Sequence, residues 1–423
     1  MDQIVMGRPQ RYAIIVDPLS TAQAYAGAFS EAGMTPVAVL SAASPVEVYV
    51  PTWHPENFAH VHYFDGDVSA LAATLREYEP ECIVPGAETG VELYEQLAEL
   101  VLPGSGNVPG LAAARRDKWA MARAVADAGI PHLRQLCSAD LDEIEKWLHD
   151  TGLSGCKSVV KPPKSAGGDD VHVVAPGTDW RPLAESLLGR VNKAGLVNEA
   201  VLVQEFAEGS EFLVDTYSVD GRHGLVDVCR YLKITRGDQI GIYDRVDFLA
   251  PDHPDVATIW PYTQRVLDAV GIRNGCGHTE IMLTPDGPRL IELAERPAGG
   301  GHQMISEIAT GDNHILRTVA HRACGEFKDG YRLITHLRGV LINAPHAGIW
   351  RNAEIFDNVD ELPTFSSKYF PKGTGDWVQR SDDLFSMLAW VVLVSDDEAA
   401  IEKDYDHIRE LETKLDIEPA ERP

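Results

Sequence analysis

The sequence predicts a mixed α/β and α+β chain, with a parallel sheet in its first part and antiparallel sheets thereafter. Three observations carry this expectation. Strand-like and helix-like runs alternate at βαβ spacing through the first 85 residues. The densest Gly/Pro stretch, Leu102-Pro-Gly-Ser-Gly-Asn-Val-Pro-Gly110, then breaks the pattern. Beyond it, β-prone runs are joined by short turns, as neighbouring antiparallel strands are.

In order, residues 1 to 10 read as a loose arm. Tyr12-Ala-Ile-Ile-Val-Asp17 is a short buried strand, and a helix from about Thr21 to Ala32 ends at Gly33. Thr35 to Leu40 is the next strand, and Glu81 to Pro85 continues the sheet after a helix around Ser69 to Tyr78. Ligands of such sheets sit at the carboxyl ends of the strands, which places Asp17 to Ser20 and Pro85-Gly-Ala-Glu88-Thr-Gly90 at a mouth. No GxGxxG follows the first strand, which weighs against a dinucleotide site. Glu88 reads either as a first-turn acid favoured by the helix dipole or as a contact to a substrate ammonium or cation.

After the boundary, Arg115 to Gly129 reads as a helix with Lys118 near its start. Alone, Lys118 reads as a solvated lysine; it is also placed to reach a phosphate. Val159-Val-Lys161 ends a strand, and Pro162-Pro-Lys164-Ser-Ala-Gly-Gly168-Asp-Asp170 forms a turn whose backbone N–H groups could cradle an anion. The turn is not a GxxxxGK[ST] P-loop. Val201 to Glu205, a Gly209-containing connection and Glu211 to Tyr217 read as antiparallel strands, followed by His223 to Ile234 with Lys233 near its end.

Glu280-Ile-Met-Leu and Arg289-Leu-Ile-Glu292-Leu flank Pro285-Asp-Gly-Pro288, the pattern of a β-hairpin. His278, Glu280 and Met282 share one face, and Glu292 lies near Glu280 if the turn registers them. Two converging carboxylates repel unless a hard cation such as Mg²⁺ or Mn²⁺ lies between them. The alternative is a solvated hairpin whose acids never meet. Arg296 and the run Gly299-Gly-Gly301 place a cation and close-approach backbone beside the pair. In the C-terminal part, His336 to Ile342 and Met387 to Val394 read as strands, about Asp396 to Leu411 as a final helix, and Lys368 to Gly375 as a loop over the cleft. Asp416 to Pro423 read as a disordered tail.

Composition bounds the function. At 423 residues the chain accommodates two or three domains of roughly 100 to 200 residues each. A net charge of −27 argues against nucleic acid or an anionic membrane as partner, while a small substrate in a locally basic pocket stays compatible. Cys82, Cys137, Cys156, Cys229, Cys276 and Cys324 form no CxxC pair, which suggests reduced thiols. No apolar run approaches the roughly 20 residues of a membrane span, and the N-terminus lacks a signal-peptide core. These features together predict a soluble, cytoplasmic protein.

The ordered set of Lys118, Val-Val-Lys161-Pro, Val-Gln204-Glu205-Phe-Ala-Glu-Gly209-Ser-Glu211 and Glu280 to Glu292 followed by Arg296 resembles the ATP-grasp superfamily of ATP-dependent carboxylate–amine ligases. The resemblance covers roughly residues 12 to 345. It implies a Rossmann-like domain over 1–110, a helical linker over 111–135, a central lid subdomain over 136–206, and a large antiparallel domain over 207–423 carrying metal and substrate. Carried over by position, Lys118 and Lys161 resemble the ATP-phosphate contacts. Gln204, Glu205 and Ala207 fall where the hinge meets adenine, largely through backbone, and Glu211 matches the carboxylate on the ribose hydroxyls. Lys233 is a further lysine aimed at that cleft. Glu280 and Glu292 match the Mg²⁺ (or Mn²⁺) ligands, and Arg296 the arginine beside the phosphoryl group and acyl substrate.

Ala294 stands where the family commonly has Asn, so a second metal would lean on Glu292 alone, on Glu295 or on substrate. His278 orients a ligand, touches phosphate or is structural. The Pro85 to Glu92 segment, His278-Thr-Glu-Ile-Met-Leu and the Arg-Pro-Ala-Gly-Gly-Gly tail look most like the L-amino-acid ligases that make dipeptides, of the kind used in bacterial peptide antibiotic biosynthesis. By that analogy Glu88, Arg245, Arg296 and Gly300 are substrate-binding, and Lys161, His278 and Arg296 catalytic. The resemblance implies acylphosphate formation from an amino acid and ATP, then attack by an amine, with small-molecule amino acid partners and a homodimer, as family members often form. The alternatives are a carboxylase or purine-pathway ligase, a ligase with a carrier- or peptide-bound acceptor, and a nucleotide-binding regulator.

Overall fold

The structure, a computed structural model, describes residues 10–422 except 166–169, 194, 237–238 and 382–385, with backbone alone for 235, 236 and 239–241. The expected N-terminal arm therefore lies almost wholly outside the described residues, and the centre of the turn after Lys161 does so too.

The first sheet contains strands β1 (Tyr12–Val16), β2 (Thr35–Leu40), β3 (His60–Tyr63) and β4 (Cys82–Pro85). All pair in parallel, in the order β3-β2-β1-β4. Its inner strands are apolar on both faces because helices cover both. Ile14, Val16 and Ile83 pack with Leu93 and Leu97, while Ala13, Ile15 and Val84 pack with Tyr25 and Phe29. β3 was not read from the sequence: His60-Val-His-Tyr63 is half exposed and polar at alternate positions.

A small antiparallel sheet follows, from β5 (Gln135–Ser138), β6 (Ser158–Lys161), β7 (His172–Val174) and β8 (Val201–Glu205), ordered β5-β8-β6-β7. The helices Leu141–Asp150 and Arg181–Leu187 close its apolar face through Ile144, Leu148 and Leu187. The linker helix begins at Lys118, later than expected, because Asp117 caps it by accepting from the backbone N–H groups of Trp119 and Ala120.

The third sheet is the largest. Strands β9 (Ser210–Val219), β10 (Arg222–Arg236), β11 (Gln239–Phe248), β12 (Gly275–Thr284), β13 (Gly287–Ala294), β14 (His336–Ile342), β16 (Phe365–Tyr369) and β18 (Ala389–Ser395) order as β13-β12-β9-β10-β11-β14-β18-β16. Helix Pro254–Ala269 packs Ile259, Val266 and Leu267 under β9, β12 and β13. Burying side chains of this size stabilises by roughly 1.5 to 3 kcal/mol each. Between those strands, β15 (Gly348–Trp350) and β17 (Trp377–Val378) join β19 (Ile417–Pro419) in a small sheet ordered β17-β15-β19. The expectation of a disordered tail is therefore corrected. Ile417 is buried against the core around Trp350, and Arg351 pairs with Glu418, so these residues are held by pairing and packing.

Candidate active site

The hairpin supplies the centre. β12 and β13 place Glu280 directly opposite Glu292, with a bulge just after Glu280. Burial, then the neighbouring Glu211 and Glu292 carboxylates, push the Glu280 acid up to about 7. A site that holds three carboxylates so close is short of positive charge. Lys118 supplies part of it, with Nζ 3.0 Å from Glu292 Oε1 and donating to the Ser165 carbonyl at 3.0 Å. The chemistry of this oxygen donor set fits a hard divalent cation held by Glu280 and Glu292.

Lys161 ends β6 and is 3 % exposed. Its Nζ donates to Gln204 Oε1 at 3.2 Å, and Gln204 in turn donates to Gln135. Burial, reinforced by the Lys118 charge, lowers the Lys161 ammonium to about 8. Glu205 turns its carboxylate away from the cleft onto Arg134, at 2.6 Å from Nε. Ala207 lies in the connection from β8 to β9. Glu211 pairs with Lys233 at 2.6 Å, while its Oε1 is buried without a hydrogen-bond partner. Such an orphaned acceptor suits a ligand hydroxyl. Thus Lys161 lies within electrostatic reach of Lys118, Glu211, Glu280 and Glu292, with Gln204 hydrogen-bonded to it and Lys233 paired with Glu211.

Beside these residues lies a cavity of about 630 Å³, whose lining includes Glu88, His278, Glu280, Glu292, Ala294, Arg296, Gly300 and His302. Arg296 Nε donates to Glu88 Oε2 at 2.6 Å, and Arg116 lies 3.2 Å from Glu88 Oε1. Glu88 is thus held between two arginines and keeps its charge despite full burial; both arginines lower its acid. Arg296 and Arg116 are the cations on Glu88 here, and its carboxylate orients Arg296. Alternation along β13 puts Ala294 on the cavity side and turns Glu295 the other way. There Glu295 meets Arg115 at 2.6 Å and Asn107 at 2.9 Å, which removes it as a metal ligand.

His278 Nδ1 donates to Asp215 Oδ1 at 2.7 Å, leaving Nε2 as its remaining ring nitrogen. Asp215 and Asp227 face each other across β9 and β10, both fully buried. His302 meets Asp227 at 3.1 Å and Asp215 at 3.5 Å; these carboxylates outweigh its burial and push it up to about 9. His314 Nε2 donates to the Thr216 carbonyl at 2.9 Å, so its Nδ1 is free to accept from the Ala298 N–H, and burial lowers its pKa.

Sequence reasoning missed Arg116, Asp215, Asp227 and His302. The legible signal for the two aspartates is a charge in an otherwise apolar strand; nothing local marks Arg116. Arg245 is a correction. It sits on the face of β11 opposite the cavity-lining Val246, where it pairs with Asp247 at 3.1 Å and lies over Tyr405. The acids flanking it in sequence are structural partners. The turn after Lys161 is described only at its ends, where Lys164 pairs with Glu92 at 2.6 Å.

The ATP-grasp domain family matches residues 155–304. The chain thus carries an ATP-grasp domain over those residues, within the fold described above. It is similar to dapdiamide A synthase of Enterobacter agglomerans, 28 % identical over 360 residues, covering 82 % of this chain and 83 % of that one. It is also similar to the L-arginine-specific L-amino acid ligase of Bacillus subtilis, 25 % identical over 193 residues and 45 % of each chain. Among solved structures, the L-amino acid ligase from Bacillus licheniformis superposes with a TM-score of 0.72 at 16 % identity, over 98 % of this chain and 100 % of that one. Among the described residues no helix is long and apolar enough to cross a membrane.

Proposed function

We propose that this enzyme phosphorylates the carboxylate of one amino acid with ATP and joins the acyl group to the amine of a second, releasing ADP and phosphate. The observation that carries this reading is the cross-strand pair Glu280 and Glu292, flanked by Lys118 and Lys161 on one side and Arg296 on the other. Phosphoryl transfer asks for alignment and charge neutralisation more than for covalent help.

In this reading, Glu280 and Glu292 hold Mg²⁺ or Mn²⁺, which supplies charge neutralisation on the phosphates. Lys118 and Lys161 bind phosphate oxygens, and the unpartnered oxygen of Glu211 accepts from a ribose hydroxyl. Gln204, Glu205 and Ala207 present hinge backbone to the base. Arg296, oriented by Glu88, stabilises charge on the acyl group as the amine attacks. His278 Nε2, backed by the Asp215 carboxylate, is a candidate to receive the amine proton. Residues 136–206 form the lid that excludes water from a readily hydrolysed acylphosphate. Six free cysteines fit a reducing compartment.

The test is phosphate release from ATP and Mg²⁺ over single and paired L-amino acids, with mass spectrometry of products. A product equal in mass to the two acids less water is expected. ADP formed without any amino-acid dependence would overturn the reading.

A further inference from the structure

A second cavity, of about 380 Å³, opens at the carboxyl ends of the parallel strands and touches neither Glu280 nor Glu292. Residues that follow each of the four strands line it: Leu19 after β1, Ser41 and Ala42 after β2, Phe64 after β3 and Thr89 after β4. The sheet changes direction at β1, with β2 and β3 on one side and β4 on the other. Open parallel sheets bind ligands at such a switch point. The volume, about 380 Å³, falls within the roughly 300 to 1,000 Å³ of small-molecule sites.

Among the charged groups lining this cavity, the acids are already occupied and a cation is not. Asp17 accepts from the Ser41 N–H at 2.7 Å, from Ser41 Oγ at 2.6 Å and from Thr89 Oγ1, while Glu92 pairs with Lys164 at 2.6 Å. Arg116 also lines the cavity, 6 % exposed, and its Nη1 has no hydrogen-bond partner among the described residues. That nitrogen lies 3.2 Å from Glu88 Oε1, an ion pair without hydrogen-bond geometry. A buried guanidinium short of an acceptor suits a carboxylate, which takes its donors as charge-assisted bonds. Leu40, Val46, Phe64 and Leu93 add apolar wall around it. The cavity is also coupled to the first one. Leu19 lines both, and Glu88, which Arg116 holds, orients Arg296 on the other side.

We propose that this second cavity is a regulatory site for a small organic carboxylate with an apolar body, its carboxylate on Arg116, and that its occupancy is felt at Arg296 through Glu88. A carboxylate on Arg116 competes with Glu88 for that guanidinium. Glu88 is then left to Arg296 alone, whose charge is more fully neutralised and less available to an acyl group. The ligand therefore inhibits. The binding stands on the cavity itself, and the inhibition rests on the ligase reading above.

The experiment is calorimetry on the full chain without nucleotide, with isocaproate as probe and isocaproamide as its uncharged counterpart. Isocaproate should bind about tenfold or more tightly than the amide. Ala42→Phe, which fills the cavity from its rim, should weaken that binding about tenfold or more; if it fails to fold, Ser44→Trp fills the same space. With ATP, Mg²⁺ and an amino-acid pair that releases ADP, isocaproate should lower kcat about fivefold or more. Ala42→Phe should turn over within about twofold of the parent and lose this inhibition. Absent binding, equal binding of the amide, or binding and inhibition that survive in Ala42→Phe would overturn the second site. Binding that Ala42→Phe removes, with turnover untouched by isocaproate in the parent, would overturn the link through Glu88. If no amino-acid pair releases ADP, the ligase reading falls and the calorimetry still decides the site.

Discussion

At the scale of single residues, charges forced together tune the acids and bases of the site. Glu280 ionises only near pH 7, so the metal-free protein loses stability as pH rises from about 4.5 through 7, where the folded state resists giving up the proton. Glu280→Gln should therefore stabilise the metal-free protein at pH 8 by roughly 1 to 3 kcal/mol while abolishing Mg²⁺-dependent turnover. Chemical denaturation beside an activity assay reads both, and a variant less stable than the parent at pH 8 would contradict the crowding of Glu280 by Glu211 and Glu292. Lys161 shows the converse. Its ammonium, lowered to about 8, is mostly neutral at pH 9, and bound phosphates favour the charged form. Binding of MgATP at pH 9 should take up close to one proton, falling toward zero by pH 7. Calorimetry in buffers of different ionisation enthalpy measures the uptake, and Lys161→Met should lack it.

At the scale of elements, the connection from β8 to β9 governs how the small sheet meets the large one. Gly209 opens β9 so close to the hairpin that a Cβ there would stand 2.1 Å from the Leu283 carbonyl oxygen. Gly209→Ala should cost more than about 2 kcal/mol or shift the hinge, seen as a lower denaturation midpoint with a weaker ATP affinity. Wild-type values for both would show that the backbone yields there without cost. This element was legible in sequence, as were the hairpin register and the buried strands β1, β2 and β4, because apolar alternation and turn residues are local signals. Arg245 was misread because its neighbours in sequence, Asp244 and Asp247, resemble a binding cluster. Only the position of helix Glu398–Glu412, which brings Glu402 and Tyr405 onto Arg245, shows them to be structural. The tail was misread because β19 is three residues long, and its partner β15 lies far away in sequence. The histidine and aspartate cluster needed the pairing of β9 with β10 and the docking of helix His302–Thr310, neither of which has a sequence signature.

At the scale of the whole molecule, two adjacent residues on each of two segments join three parts of the chain. Arg115 meets Glu95 and Glu295, and Arg116 meets Glu88, which in turn holds Arg296. The N-terminal sheet, the linker and the large sheet thus share one buried ionic seam. Burial and the adjoining Glu95 already raise the Glu295 acid, so Arg115 holds this carboxyl pair together, and breaking a buried pair of this kind by removing one partner costs roughly 3 to 5 kcal/mol. Arg115→Met should lower stability by about that amount, and the loss should shrink with Glu295→Gln added. Additive losses in a double-mutant cycle would show that the two do not act as one unit.

The last strand gives the fold an unexpected dependence. β19 lies against β15, β15 against β17, and β17 bears Trp377 and Val378 on the cavity wall, while Arg422 lies on the cavity lining itself. Residues 417–422 are thus tied to the wall of the cavity in which the proposed reaction would take place. Engineering at that end would change which molecules enter, and a library varied over residues 417–422 would be a direct route to altered selectivity.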